Sequence, residues 1–253
     1  MMFEPLLLSF SALLAMPGGG NLFYGIDIWY LVLIVPALLL SLVAQAGVKG
    51  TFSKYSQIPA RSGYTGQSAA RRILNQHGLS DVRVERTPGQ LTDHYDPRSR
   101  VLRLSESTCD SPSIAAIGVA AHEAGHAVQH HEGFLANKIR SALVPVAQIG
   151  SSFGPYLALF GLVLGFPFLV DIGILLFAGA VVFYLVTLPV EFDASRRAIR
   201  VLEDQGMLTD DELAGARKVL RAAAMTYIAS TLMAFASLAR LILLSRGSND
   251  RRR

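Results

Sequence analysis

The stretch that decides the fold is Ser-Ile-Ala-Ala-Ile-Gly-Val-Ala-Ala-His-Glu-Ala-Gly-His-Ala-Val-Gln-His, residues 113–130. Pro112 suits the first position of a helix here, and Gly133 suits its end. Within this helix His122 and His126 are four residues apart, so their imidazole rings project from the same face, one turn apart. Two imidazoles at this spacing can bind one metal ion, and zinc is the metal that such a pair favours.

Glu123 directly follows the first of these histidines. Next to a zinc ion, its carboxylate can take the proton of an activated water as that water attacks a carbonyl group. The alternative is a helix that carries two histidines and a glutamate without a function. However, the small apolar residues around them predict a buried helix, and burying three such side chains costs several kcal/mol unless they are paired or bind metal. We therefore expect His122 and His126 to bind zinc and Glu123 to be the general base.

Long apolar runs lie on both sides of this motif. A helix needs about 20 mostly apolar residues to cross a bilayer. Residues 28–46 and 222–239 carry no charge, and residues 141–190 carry one, at Asp171. The middle run is long enough for two helices with a turn near Gly165. The sequence therefore predicts three to four transmembrane helices.

The composition agrees with a membrane protein. Only 17% of the 253 residues are charged, whereas soluble domains carry about 25%. The net charge of +4 comes from scattered basic residues, many of them beside apolar runs, which indicates membrane-flanking charge and argues against nucleic-acid binding. The single cysteine, Cys109, excludes an intramolecular disulfide and a cysteine-rich metal cluster. We expect this cysteine to be an inert thiol.

These features divide the chain into seven segments. We expect an N-terminal lead-in (1–27), a first transmembrane helix (28–48), a small α+β domain with the motif helix (49–140), two transmembrane helices (141–190), a helical segment (191–221), a fourth transmembrane helix (222–245) and a basic tail (246–253). In the α+β domain, Thr65 can cap a helix that ends at Gly78. Alternating residues predict strands at 82–85, 91–95 and 101–104. Thr209 and Glu212 fit a capping box for the helix that enters the last span.

A catalytic zinc site needs a third protein ligand and one open position. The motif helix precedes the second transmembrane helix, and two further crossings return the chain to the same side at Glu191. We therefore expect Glu191 to open a helix after Pro189 and to be the third ligand, with a membrane-edge anchor as the alternative role. Asp171 lies near the far end of the third span, about 25–30 Å away at a rise of 1.5 Å per residue. It is rejected as a ligand.

Three stretches resemble the YugP-type neutral zinc metallopeptidases of bacterial membranes. They are residues 122–130, the segment from Asp93 to Leu104, and the segment from Leu188 to Ser195, and the resemblance covers nearly the whole chain from the first span onward. More distantly, the layout is similar to the HtpX and CAAX-prenyl-protease metallopeptidases. Those pair His-Glu-x-x-His with a downstream glutamate ligand in a Glu-x-x-Ala-Asp pattern. The resemblance therefore implies Glu191 as the third ligand.

The resemblance also implies a fold, namely an α-helical membrane protein with a small α+β zincin-like metallopeptidase domain that holds one Zn²⁺ per chain. The sequence departs from the Glu-x-x-Ala-Asp pattern at its last position, where Ser195 replaces the aspartate. We expect Ser195 or the nearby Asp193 to orient a ligand histidine. His94 and Tyr95 are candidates to donate a hydrogen bond to the oxyanion, with a loop position without function as the alternative.

Charge predicts the orientation in a bacterial inner (plasma) membrane. Residues 49–140 contain 12 Lys and Arg and residues 196–221 contain six, whereas the turn near Gly165 contains none. Positive charges beside membrane spans favour the cytoplasm. We therefore expect a multi-pass protein whose active site faces the cytoplasm, although the basic tail with Arg246 argues for the opposite orientation.

Three functions fit these features. We expect a membrane-bound zinc endopeptidase that cuts polypeptides, membrane proteins among them, near the membrane surface. The strand around Arg103 is a candidate edge strand on which an extended peptide lies. An intramembrane zinc protease would instead take its third zinc ligand from an aspartate of a later span. The identity of that ligand, Asp171 or Glu191, therefore distinguishes the intramembrane protease from the surface endopeptidase. A zinc-binding scaffold without catalysis would need no Glu123 and would hold zinc with four protein ligands. The expected partners are a polypeptide substrate and the lipid bilayer.

Overall fold

The computed structural model describes residues 27–250, with side chains up to residue 247. The elements in chain order are α1 (Tyr30–Ser56), α2 (Gly66–Gln76), β1 (Arg83–Thr87), β2 (His94–Asp96), β3 (Val101–Ser105), α3 (Glu106–Cys109), α4 (Ile114–His131), α5 (Leu135–Leu164), α6 (Pro167–Asp204) and α7 (Asp210–Asp250). The lead-in expected at residues 1–27 lies outside the described residues, apart from Asp27. The described chain is therefore mostly helical, with one small sheet.

Within the described residues, four helices are long and apolar enough to cross a membrane. They are α1, α5, α6 and the Asp210–Gly247 part of α7, which agrees with the upper number that the sequence predicts. The turn between α5 and α6 contains Gly165 at a φ of +77°, a left-handed conformation that glycine adopts without steric cost. This is where the sequence predicts the chain to turn.

The helix start predicted at Glu191 is wrong. α6 runs without interruption from Pro167 to Asp204 and contains Pro189. A proline inside a helix removes one backbone hydrogen bond and costs about 3 kcal/mol. Packing offsets this cost, because Val190, Ala194 and Ala198 share one face at four-residue spacing and are all buried. Glu191 is consequently held in the interior of a long helix and not at a flexible helix end.

The chain forms two compact units. The helical unit contains Arg140–Val186 together with the first part of α1 and the last part of α7, and the site unit contains Val43–Ile139 and Thr187–Tyr227. In the helical unit, α5 and α6 approach each other through glycines. A side chain at Gly154 would lie 2.9 Å from the Gly173 carbonyl oxygen. Small residues are typical of helix interfaces in membranes, because they let two backbones come close.

A buried ion pair in the helical unit joins the start of α1 to the end of α7. The Arg240 guanidinium donates to Asp27 Oδ2 from Nη2 at 2.6 Å and from Nε at 3.0 Å, and it lies 5.3 Å from the centre of the Tyr30 ring. Asp27 Oδ1 in turn accepts a hydrogen bond from the Tyr30 backbone N–H at 2.8 Å. The start of the first apolar helix and the end of the last one therefore lie together, as four membrane crossings require.

Breaking this pair is expected to destabilise the protein. Arg240 is 6% exposed, so Arg240→Met leaves the Asp27 carboxylate buried without its cation, which typically costs about 3–5 kcal/mol. Unfolding of the detergent-purified protein, followed by temperature or denaturant, measures the effect. Arg246→Met is the matched control, because Arg246 is exposed on the same helix. Equal stability of the two variants would contradict the structural role of the pair.

The sheet of the site unit has the strand order β1-β3-β2. β1 pairs with β3 in parallel, and β2 pairs with β3 in antiparallel register, with Tyr95 opposite Leu102. β3 is thus the central strand and its Val101, Leu102 and Leu104 are buried. The expectation that the strand around Arg103 forms an edge is therefore wrong. β2 is an edge strand, and it is shorter than the strand predicted at 91–95.

Caps place the helices of the site unit. Thr65 and Ser68 form a capping box at the start of α2, which confirms the predicted helix start. α4 begins two residues later than predicted, because the Ser113 hydroxyl accepts the Ala116 backbone N–H at 3.2 Å and Pro112 lies outside the helix. The turn after α4 contains Gly133 at a φ of +67°, as the sequence predicts. The core between these elements includes Ile73, Leu74, Ile117, Ala120 and Leu202.

Glu212 fixes the start of α7. Its Oε2 accepts the Thr209 backbone N–H at 2.8 Å, which is the bond that the predicted capping box requires of the glutamate. Its Oε1 accepts the backbone N–H of Arg61 at 2.8 Å, 151 residues away in the chain. Glu212 therefore also ties α7 to the segment that precedes α2.

Candidate metal centre

The site is built where α4 and α6 come close together. Gly125 lies between the two histidines of α4, and a side chain at this position would be 3.0 Å from the Ala194 carbonyl oxygen of α6. A side chain at this distance would push the two backbones apart, so Gly125 lets the two helices approach. Glu191 lies one turn before Ala194 on α6. The close approach therefore brings its carboxylate to the histidine pair.

His122, His126 and Glu191 converge on one point. Glu191 Oε2 is 3.3 Å from His122 Nε2 and 3.5 Å from His126 Nε2, and one ligand atom from each of the three residues lies within 4.8 Å of the others. The two imidazole rings meet edge to face, with centroids 4.7 Å apart. Glu191 is 2% exposed and His122 is 9% exposed. Three groups that can bind a cation thus meet in a nearly dry part of the protein.

These residues fit a zinc ion. Zinc binds histidine nitrogen at about 2.0–2.1 Å and carboxylate oxygen at about 2.0–2.2 Å, so neighbouring ligands of a tetrahedral ion lie about 3.3–3.5 Å apart. The two nitrogen–oxygen distances, 3.3 and 3.5 Å, match that separation. Two histidines and one glutamate are also a common donor set of catalytic zinc sites, which keep a fourth position open.

Each ligand histidine is held through its second ring nitrogen. The Ser195 hydroxyl oxygen lies 3.1 Å from His122 Nδ1, so Ser195 contacts a ligand histidine as the sequence suggests. Gln129 Oε1 lies 3.0 Å from His126 Nδ1. Asp193 contacts Gln129 and not a histidine, since its Oδ2 accepts from Gln129 Nε2 at 2.9 Å. These contacts leave both Nε2 atoms facing Glu191.

Glu123 is partly buried beside the first ligand. Burial raises its pKa to about 7, the nearby His122 lowers the pKa, and the carboxylates of Glu191 and Asp93 raise it. Hydrogen bonding from the Tyr95 backbone also lowers the pKa of Glu123. A pKa near neutrality suits a group that accepts and returns a proton, and the charge of a bound metal ion would lower this pKa.

Two residues, His94 and Tyr95, are candidates to donate a hydrogen bond to the oxyanion, and of these Tyr95 lies beside the site. Its hydroxyl oxygen is 3.2 Å from His130 Nδ1, and its backbone is close enough to Glu123 to lower the pKa of that carboxyl. Burial raises the pKa of the Tyr95 hydroxyl, so it stays protonated and able to donate at neutral pH. His94 is exposed, and its Nδ1 lies 2.8 Å from the carbonyl oxygen of Thr92, in the loop before β2.

Asp171 does not join the convergent group. It is exposed near the start of α6, 20 residues before Glu191 on the same continuous helix. At a rise of 1.5 Å per residue, the two carboxylates are separated by about 30 Å along that helix. The rejection of Asp171 as a zinc ligand agrees with this geometry.

Three residues around the site were not singled out from the sequence. Gln129 holds His126, Asp93 lies near Glu123, and Arg197 donates from Nε to Asp193 Oδ2 at 2.5 Å. The position of Gln129, three residues after His126, was a usable signal, because residues three apart share a helix face. Asp93 is held by Ser105, whose backbone N–H donates to Oδ1 at 2.8 Å. That contact depends on strand pairing, which local sequence does not show.

Comparison with known proteins gives evidence about the family of this chain that does not depend on the geometry of the site. The family model described as "Putative neutral zinc metallopeptidase" matches residues 30–246. The curated "Putative membrane protease YugP" of Bacillus subtilis (strain 168) is 47% identical over 221 residues, which cover 87% of this chain and 98% of the relative. No solved structure matches the chain significantly. The matched region contains His122, Glu123, His126 and Glu191, and the chain belongs to the family of neutral zinc metallopeptidases.

Proposed function

We propose that the protein is a membrane-bound zinc endopeptidase that hydrolyses peptide bonds with Glu123 as the general base. The observation that carries this proposal is the convergence of His122, His126 and Glu191 within 4.8 Å, with Glu123 next to the first ligand. When bound at such a site, zinc acidifies a water molecule and polarises a carbonyl group. Zinc-dependent hydrolysis of an unfolded protein such as casein, by the detergent-purified protein, tests the activity itself.

The side chains then divide the chemistry among them. Glu123 accepts the proton of the attacking water and returns it to the amine that leaves. In this proposal the Tyr95 hydroxyl donates a hydrogen bond to the oxygen that gains negative charge, and His130 Nδ1 lies 3.2 Å from that hydroxyl. The buried Glu191 completes the ligand set and balances part of the charge of the metal.

The edge strand β2 offers a place for the substrate. An exposed strand edge presents unpaired backbone groups and can add an extended peptide as a further strand. Tyr95 lies in the middle of β2, between His94 and Asp96, and hydrogen bonding from its backbone reaches Glu123. A peptide paired with β2 would therefore pass beside the general base, which supports a polypeptide as the substrate class.

The charge pattern of α6 supports a site at the membrane surface. Residues 172–190 contain no charged residue, and five charged residues follow within the next ten positions: Glu191, Asp193, Arg196, Arg197 and Arg200. Nineteen helical residues span about 28 Å, close to the thickness of about 30 Å of the hydrocarbon core. Glu191 is the first charged residue after this apolar stretch. The intramembrane alternative lacks this support, because its aspartate candidate, Asp171, does not join the site.

Cysteine labelling separates a surface site from an intramembrane one. In a Cys109→Ser background, we expect Gln90→Cys, His131→Cys and Arg196→Cys, all at exposed positions, to react with a membrane-impermeant maleimide from one side. From the charge counts, that side is the cytoplasm. Phe166→Cys, in the exposed turn between α5 and α6, is the control and should react from the opposite side. Protection of residues 131 and 196 from both sides, or reaction on the side of residue 166, would rule out the surface site.

A further inference from the structure

Gln129 is fully buried on α4, one turn after His126. Its amide nitrogen donates to the Val190 carbonyl oxygen at 2.8 Å and to Asp193 Oδ2 at 2.9 Å. Its amide oxygen lies 3.0 Å from His126 Nδ1. All three polar contacts of this side chain thus go to α6 or to a metal-ligand histidine.

The two α6 partners fix which way the amide points. A backbone carbonyl and a carboxylate only accept hydrogen bonds, so the NH₂ group must face both of them. A flipped amide would place its oxygen against two acceptors, which is unfavourable for a buried group that has no other partner. The amide oxygen must therefore face His126.

This orientation decides the tautomer of His126. An amide oxygen only accepts hydrogen bonds, so His126 Nδ1 must carry the ring proton. The lone pair of the neutral imidazole then lies on Nε2, which is the atom 3.5 Å from Glu191 Oε2. Ser195 imposes no such choice on His122, because a hydroxyl can either donate or accept.

Arg197 fixes the far end of this chain of contacts. Its Nε donates to Asp193 Oδ2, and its Nη1 donates to Glu132 Oε2, both at 2.5 Å. Glu132 is the C-terminal capping residue of α4, so Arg197 links the end of the motif helix to Asp193. The Asp193 carboxylate is thereby held as an acceptor towards Gln129.

We propose that Gln129, Asp193 and Arg197 are positioning residues that select the metal-binding tautomer of His126. This inference rests on the zinc site proposed above. It assigns to Asp193 an indirect role, in place of direct contact with a ligand histidine. Partners that orient ligand histidines typically change metal affinity about 10–100-fold, and we expect effects of that size here.

The test measures zinc affinity by competition with a chromophoric chelator in detergent-purified protein. We expect Gln129→Leu to weaken zinc binding about 10–100-fold and Asp193→Asn to weaken it about 10-fold. Arg200→Gln is the matched control on α6, because Arg200 is exposed, and it should bind zinc as the wild type does. Gln129→Glu should also lose zinc affinity, because its carboxylate cannot donate to Asp193. Adding Asp193→Asn to Gln129→Glu should recover part of that loss, because an asparagine can donate to the new carboxylate.

A second readout, on metal-free protein, separates positioning from general damage. The chain has six histidines, so ¹⁵N-histidine spectra are simple enough to follow one ring. The His126 resonance, identified by its loss in His126→Asn, should show the Nδ1–H tautomer in the wild type and a mixture in Gln129→Leu, which has no amide oxygen to accept from Nδ1. Wild-type zinc affinity in both Gln129→Leu and Asp193→Asn, or an unchanged tautomer in Gln129→Leu, would overturn the proposal. Absence of zinc binding by the wild type would overturn the proposed function as well.

Discussion

Glu123→Gln is expected to keep the fold and the zinc ion and to lose peptide hydrolysis. Glutamine has the shape of glutamate, but its amide cannot accept the proton of the attacking water. Loss of a general base typically lowers the rate about 10²–10⁴-fold, and the loss is larger where the same group also returns the proton to the amine. Because burial raises the Glu123 pKa to about 7, a neutral amide fits this position without a large cost in stability.

Initial rates of casein cleavage, measured beside the zinc content of the same preparation, test this expectation. Glu106→Gln is the control, because Glu106 is an exposed carboxylate of the site unit with no contact to the site residues. It should cleave at the wild-type rate. Undiminished cleavage by Glu123→Gln would exclude the proposed mechanism, and loss of zinc in that variant would show that its inactivity has another cause.

Glu191→Ala is expected to lose zinc, whereas Asp171→Asn retains it. Glu191 is 2% exposed, and its Oε2 lies within 3.5 Å of both ligand nitrogens. Its removal leaves two protein ligands. Losing a residue that only orients a ligand typically lowers metal affinity about 10–100-fold, and we expect the loss of a ligand itself to lower zinc affinity further. The same change should stop hydrolysis. Asp171 belongs to the helical unit and makes no contact with the three ligands.

Elemental analysis after dialysis against a weak chelator distinguishes the two variants. Glu191→Gln serves as the control for the cavity that alanine creates, since glutamine keeps the volume but replaces the anionic oxygen. Zinc loss in both Glu191 variants supports the ligand assignment. Full zinc occupancy in Glu191→Ala, together with loss in Asp171→Asn, would overturn it and favour a site inside the membrane.

Local chemistry made much of the site predictable. The spacing of His122 and His126 follows from helix geometry alone, and the adjacent Glu123 needs no tertiary information. Glu191 was accessible through topology, because the two apolar helices that follow the motif helix are long enough to cross a membrane and would return the chain to the same side. The turn at Gly165 and the cap at Thr65 also follow from local preferences of glycine and of small hydroxyl residues.

The errors arose where tertiary packing overrides local preference. Pro189 suggested a helix boundary, but the buried face formed by Val190, Ala194 and Ala198 carries α6 through the proline. The central position of β3 depends on its parallel pairing with β1, which alternation within one strand does not show. The role of Gln129 depends on the distance between α4 and α6, and only the close approach at Gly125 brings it to Val190 and Asp193.

The most direct test of the central claim is casein hydrolysis by one preparation of the wild-type protein in three states. The protein is assayed as purified, after its metal has been removed with 1,10-phenanthroline, and after zinc has been returned. If His122, His126 and Glu191 hold a catalytic zinc, cleavage stops on metal removal and returns in full at one zinc per chain. Cleavage that continues in the metal-free protein, or a zinc-loaded protein that does not cleave, would contradict the claim.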